Sequence, residues 1–163
     1  MRAFSDLLEA LLFSPRRTVK LAHLVKWIKS TDDPDRGWGL AALTSDLSFT
    51  AVKAGAVREL AGQVTDPDLF ALSYDFVGDL AETVALLWSD PKSLSEEKKP
   101  SLSEVVSVLT SIQRKAAVPQ LSDWMNELNV SERWALLKLA TGGMRVGVSA
   151  RLVRLSLAQA YNT

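Results

Sequence analysis

The sequence predicts an all-α fold, and three observations lead to that prediction. Apolar residues recur at spacings of three and four along most of the 163-residue chain, which places them on one face of a helix. No stretch shows the alternation of apolar and polar residues that is typical of a half-buried strand. The helical segments are short and are separated by Pro, Gly, Asp and Ser residues, which favour turns and helix caps. We therefore expect a compact domain of many short helices.

Six helices are expected in the first part of the chain. They are marked by apolar residues at helical spacing or by starting signals, which include Pro34 and Pro67 in first turns and Thr50 as a possible cap. Asp79 is the expected N-cap of the sixth helix. The six segments are 4–12, 18–28, 38–43, 51–63, 67–72 and 80–88.

Four more helices are expected in the second part. Ser103 and Ser131 are the expected starts of two of them, and Pro119 is expected to open the helix between them. Ser149 is the expected N-cap of the last helix. The four segments are 103–112, 119–128, 131–139 and 150–160.

A polar segment bounded by prolines, residues 89–100, is the expected linker within a single domain. It divides residues 1–163 into two parts, 1–88 and 101–163. We expect these parts to be pseudo-repeats that fold together.

The two parts resemble each other at an offset of 97 residues. An ungapped alignment of 4–61 with 101–158 gives ten identical pairs among 58 positions. The rarer residues among these pairs are Trp27 with Trp124 and Arg36 with Arg133. We interpret the two arginines as equivalent residues that stabilise the fold, and the domain as two related helical halves.

Composition excludes several kinds of site. The chain has no cysteine, so it has neither disulfides nor thiolate metal ligands. Its one histidine, His23, provides no basis for a histidine metal site or a catalytic dyad. No apolar run reaches the ~18 residues of a membrane span, and the first residues lack the apolar core of a secretory signal. We expect a cytoplasmic monomer with no metal site and no membrane contact.

Charge is segregated along the chain, although the net charge is zero. Residues 14–29 contain five basic residues and no acid, and residues 133–163 contain another five and again no acid. Residues 64–104 contain nine acids and three lysines. Separate basic stretches are typical of a protein that binds a polyanion, although solvated helix faces would give the same pattern.

The segment 141–149, Thr-Gly-Gly-Met-Arg-Val-Gly-Val-Ser, is the most informative part of the chain. Its glycines permit close approach of the backbone to another surface, Arg145 supplies a charge, and Ser149 precedes a helix whose first amides attract anions. The glycines are Gly142, Gly143 and Gly147. The sequence therefore predicts a phosphate-binding edge, with residues 45–50 as its weaker counterpart in the first half. The structural alternatives are a helix C-cap for the glycines, an intradomain ion pair for Arg145 and an N-cap for Ser149.

Other candidate phosphate contacts lie near helix starts. Arg151 lies in the first turn of the last helix, and Gly78 permits close approach of the helix that follows it. Arg16, Arg17 and Lys20 form a basic cluster after a proline. Each basic residue has a solvated helix face as its alternative.

Two motifs resemble those of a known family. The pattern Gly143-Met144-Arg145-Val146-Gly147 resembles the end of the N-terminal DNA-binding domain of ATP-dependent DNA ligases. Residues 77–82 resemble that family's Gly-Asp-apolar-Gly turn, with Ala81 where glycine is usual. The order of helices is similar over the whole chain, in the form typical of bacterial ligases.

The resemblance implies an all-helical domain of two halves that binds the minor groove of double-stranded DNA on both sides of a nick. It also implies adenylation and OB-fold domains in the same chain, which ligate the nick with ATP and Mg²⁺. The nucleophile motif Lys-x-Asp-Gly is absent, and the sequence has no Asp-Gly pair. We expect a non-catalytic part of a ligase of DNA repair, replication and recombination, with no cofactor of its own.

A helical protein-interaction module is the alternative function. It would hold a partner on the apolar and acidic surface near residues 66–79. The zero net charge favours this module, whereas the two basic stretches favour binding to a duplex. A duplex binder would lose affinity steeply as the salt concentration rises.

Overall fold

A computed structural model describes residues 1–89, 97 and 99–162, and within these ranges the chain is all-helical, with no strand. The all-α prediction is confirmed. The helices are α1 (Arg2–Leu12), α2 (Arg17–Ser30), α3 (Asp35–Leu43), α4 (Ala54–Val64), α5 (Pro67–Val77), α6 (Leu80–Leu87), α7 (Leu102–Ser111), α8 (Arg114–Glu127), α9 (Val130–Thr141) and α10 (Ala150–Tyr161).

The expected linker, residues 89–100, lies mostly outside the described residues, since 90–96 and 98 are not described. Among the helices that are described, none combines the length and the apolar character needed to cross a membrane.

Helix starts follow local signals at some positions and tertiary packing at others. Asp79 and Ser149 are N-caps as expected, because their side chains accept hydrogen bonds from the backbone amides three residues on. The start expected at residue 51, with Thr50 as its cap, is wrong. Helix α4 begins at Ala54, because Ala51 and Val52 are buried in non-helical chain that leads into it.

Two helices begin slightly earlier than expected because of capping boxes. Ser101 and Asn129 each accept a hydrogen bond from the amide three residues on, and the glutamate at that position accepts one from the cap's own amide. These reciprocal bonds move the helix starts ahead of Ser103 and Ser131.

The expectation that Pro119 opens a helix is also wrong, because Pro119 lies inside α8. The helix begins five residues earlier, and Ala117 and Val118 are buried ahead of the proline. Proline lacks the N–H that would bond to the carbonyl four residues back, which costs about 3 kcal/mol in a helix interior. Burial of the apolar residues on both sides of Pro119 offsets this cost.

The same hydrogen bonds recur at the spacing of 97 residues that the sequence comparison indicated. Helices α3 and α9 both end in a Schellman turn, in which one residue adopts a left-handed conformation. That residue is Ser45 (φ 63°) in the first half and Gly142 (φ 75°) in the second. The bond from Ser45 N to Ala42 O (3.2 Å) matches the bond from Gly142 N to Leu139 O (3.4 Å). The bond from Asp46 N to Ala41 O (2.9 Å) matches the bond from Gly143 N to Lys138 O (3.0 Å).

Helices of one half pack on helices of the other half, and these contacts occur in pairs that the repeat relates. Helix α10 packs on α2, and its counterpart α4 packs on α8, the counterpart of α2. In the same way α1 packs on α9 and α3 packs on α7. This exchange is the pattern that a pseudo-two-fold axis relating α1–α4 to α7–α10 would produce. Helices α5 and α6 lie between these two sets in the chain and have no counterpart.

The two repeat-related arginines bind equivalent carbonyls, but their surroundings differ. Arg133 is fully buried, and its guanidinium donates to the carbonyls of Met125 (2.8 Å), Trp88 (3.1 Å) and Ser89 (2.6 Å). Arg36 donates to Ile28 O, the counterpart of Met125 O, at 3.3 Å. The remaining bonds of the Arg36 guanidinium go to the exposed carboxylate of Asp33.

Replacing Arg133 by alanine is expected to destabilise the domain far more than the same change at Arg36. Arg133→Ala leaves buried carbonyls without donors and a cavity in the core, so we expect a loss of about 3–5 kcal/mol in the free energy of unfolding. Arg36→Ala, the matched control, removes largely solvent-exposed bonds and is expected to cost much less. Urea unfolding monitored by circular dichroism measures both, and equal losses would contradict this account of the core.

Candidate nucleic-acid interface

A surface cavity of about 560 Å³ lies where the start of α2 meets the turn between α9 and α10. Its lining contains three cations, Arg17 and Lys20 from α2 and Arg145 from the turn, and no carboxylate. We call this cavity the basic cleft. Its lining residues are Pro15, Arg17, Lys20, Leu43, Ser45, Met144, Arg145, Val146, Gly147, Val148, Ser149 and Leu152.

Arg145 is held at the surface by the packing of its neighbours. Val146 is buried in the core, and Met144 is partly buried against it. Arg145 lies between these two anchors and is exposed. The turn therefore presents the guanidinium to solvent at the edge of the cleft.

Lys20 fixes the other side of the turn. Its ammonium donates to the carbonyl of Val146 at 2.7 Å and lies 3.4 Å from that of Gly147. Gly147 has a φ of 69°, and a Cβ at this position would collide with the Lys20 ammonium. The sequence predicted Lys20 as a phosphate contact, and the structure gives it a positioning role in the turn.

The N-terminus of α10 also lies at the cleft. Ser149 lines the cavity and caps the helix, since its Oγ accepts from Leu152 N at 3.2 Å. The backbone amides of a helix's first turn lack acceptors within the helix and carry a partial positive charge. Arg151 is exposed in this first turn but does not line the cavity. The cleft thus combines three cationic side chains with a helix terminus that favours anions.

Gly142 and Gly143 are engaged in the cap of α9. Both amides donate hydrogen bonds to carbonyls of that helix, as in a helix C-cap. They are therefore not free to donate to a phosphate. Gly142 and Ser45 face a small gap of about 30 Å³ between the halves. The gap is lined by three repeat-related pairs, Ala42 with Leu139, Ser45 with Gly142, and Leu47 with Met144. The two turns therefore meet at the pseudo-two-fold axis.

A second cleft of about 330 Å³ lies on the other side of Arg145 and is also lined by Gly143 and Asp79. Asp79 forms an ion pair with Lys138, which ties the start of α6 to α9. Burial alone would raise the pKa of the Asp79 carboxyl. The Lys138 ammonium and two backbone amides outweigh this effect and hold the pKa of Asp79 below its ordinary value. The ion pair therefore stabilises the fold at pH values above the ordinary carboxyl pKa. This stabilisation is lost as the pH falls through the lowered pKa of Asp79.

The remaining candidates lie at the edges of these clefts. Arg16 is the exposed N-cap residue of α2, and Gly78 ends α5 in a left-handed conformation, φ 78°, next to Asp79. Sequence reasoning missed Lys138 as the partner of Asp79. No local pattern indicates an ion pair between residues 59 positions apart.

Comparison with known proteins identifies the family. The family model described as DNA ligase N terminus matches residues 1–158. The chain therefore belongs to the family of N-terminal domains of ATP-dependent DNA ligases, as the two motifs indicated. No sequence among the curated proteins matches the chain.

Gly147→Ala is expected to destabilise the domain more than Gly142→Ala. Both glycines have positive φ, so each alanine costs about 1–2 kcal/mol of backbone strain. A Cβ at Gly147 would also displace the Lys20 ammonium, whereas nothing lies within 4 Å of a Cβ at Gly142. Urea unfolding of the two variants measures the difference. If both variants lose the same free energy, the bond from Lys20 does not stabilise the turn.

Proposed function

We propose that the basic cleft and the neighbouring turns bind nicked double-stranded DNA, without sequence preference, for an ATP-dependent DNA ligase. The proposal is based on one observation. Three cationic side chains and a helix N-terminus line one cavity, and this lining contains no carboxylate. They come from segments more than 120 residues apart. Contacts of this kind bind phosphates and hold a duplex in register without reading its sequence.

Arg145 is the residue we assign to the minor groove or its phosphates. Its side chain is exposed and lies between the two clefts, since it lines both of them. Arginine is attracted by the negative potential of a narrow minor groove. Arg17 and the start of α10 would hold the adjacent phosphates, with Arg16 and Arg151 at the edge, and Lys20 would keep the turn in place.

The pseudo-two-fold relation supports a second, weaker contact at the turn of the first half. Arg114 is the counterpart of Arg17 and begins α8. In the turn before α4, Phe49 O accepts a hydrogen bond from the Lys53 ammonium at 3.4 Å, whereas its counterpart Val146 O accepts one from Lys20 of the other half. The counterpart of Arg145 is Ser48, which is uncharged. A duplex backbone is itself two-fold symmetric, so two such edges would meet phosphates on both sides of a nick.

The proposed role is to hold the substrate. ATP-dependent ligases use ATP and Mg²⁺, but the described residues include no group of three His, Cys, Asp or Glu side chains that could hold a metal ion. In the proposal this chain binds the substrate. In the proposal, adenylation and OB-fold domains of a parent enzyme act on the nick during repair, replication and recombination, and the location is the bacterial cytoplasm.

Arg145→Ala is expected to weaken binding to a nicked duplex about tenfold and to reduce the salt dependence of binding by about one released counterion. The change removes an exposed side chain, so the fold and its unfolding free energy should stay the same. Fluorescence anisotropy with a labelled nicked duplex at several salt concentrations measures both effects.

Lys29→Ala is the matched control for this experiment. Lys29 is exposed in the last turn of α2, about 18 Å along the helix from Arg17 at 1.5 Å per residue. Its loss should leave affinity nearly unchanged. A folded Arg145→Ala variant with the affinity of the original chain would overturn the assignment, and the absence of any duplex binding at low salt would overturn the proposed function.

A further inference from the structure

Helix α5 lies at the edge of the core, with Phe70 partly buried against it. None of its residues is buried, and three large apolar side chains at spacings of three and four lie on its outer face. Leu69 is 49% exposed, Leu72 is 69% exposed and Phe76 is 93% exposed. Removal of large apolar side chains from water is favourable, so this exposed face favours contact with another apolar surface.

Helix α6 extends this apolar surface into a groove. A cavity of about 450 Å³ lies between the two helices, lined by Leu72, Phe76 and Val77 of α5 and by Leu86 and Leu87 of α6. Both helices belong to the segment without a counterpart in the repeat. The groove is therefore a feature of this segment, and it shares no lining residue with the basic cleft.

The surroundings of the groove are acidic. Asp68 and Asp75 are exposed on α5, each one position before an apolar residue of the outer face, and they form a stripe beside it. From Glu59 to Ser89 the chain contains six acids and neither lysine nor arginine. This charge would repel DNA phosphates and anionic lipids. It would also disfavour a symmetric contact with a second copy, which would bring the same acidic stripes together.

We propose that the groove between α5 and α6 docks an amphipathic helix of a partner protein, with apolar residues that enter the groove and lysine or arginine residues that face Asp68 and Asp75. Proteins commonly recognise a helix by a groove that binds its apolar side chains, which recur at spacings of three, four and seven residues along the partner helix. Opposite charge at its edge sets the partner's orientation and speeds association.

The test uses the ¹⁵N-labelled chain and two synthetic 18-residue peptides. The first carries leucines at helical spacing and lysines beside them, and the second has glutamate in place of every lysine. The lysine peptide should shift the amide resonances of α5 and α6 and leave those of the basic cleft unchanged. The glutamate peptide should bind at least tenfold more weakly. Phe76→Ser should weaken binding of the lysine peptide about tenfold or more without changing DNA affinity.

Phe13→Ser is the matched control, because Phe13 is also a highly exposed phenylalanine, at 78%, and lies outside the groove. It should leave peptide affinity unchanged. The proposal is overturned if the lysine peptide gives no shifts in α5 and α6, if both peptides bind equally, or if Phe76→Ser has no effect. It is also overturned in favour of a second copy if the same resonances shift with protein concentration alone.

Discussion

The crossed packing of the two halves is the constraint on which the rest of the structure depends. Because α10 packs on α2 and α4 packs on α8, each half buries its last helix against the other half. This exchange brings the turn after α3 and the turn after α9 to one axis, where repeat-related residues face each other across a small gap. It also brings Arg17 and Lys20 to a turn more than 120 residues away.

The two halves keep the same backbone bonds but have diverged in charge and burial. Both Schellman turns contain a residue of positive φ, yet the first half uses Ser45 where the second uses Gly142. The counterpart of the exposed Arg145 is the uncharged Ser48. Positive charge is therefore concentrated at the turn of the second half, where Arg145 meets Arg17 and Lys20 of the first half, and we infer that this turn makes the stronger contact with DNA.

Periodicity and turn chemistry predicted the all-α class and each of the ten helices that the described residues form. Errors came where packing outweighed a local signal, as at Pro119 inside α8 and at Ala51 before α4. The sequence also indicated that Arg145 lies in an exposed turn, because glycines mark that turn. It could not indicate that Lys20 holds the turn, since contacts between distant segments leave no local pattern. Nor could it show that the Gly142 and Gly143 amides are engaged within the cap of α9.

Mapping of amide chemical shifts while a nicked duplex is added tests whether one face built from both halves binds the duplex. We expect the largest changes in the turn 144–149 and at the starts of α2 and α10. Smaller changes are expected in the turn 45–53 and at the start of α8, and none in the groove between α5 and α6. Changes confined to α5 and α6, or spread evenly over the surface, would show that this face does not bind the duplex.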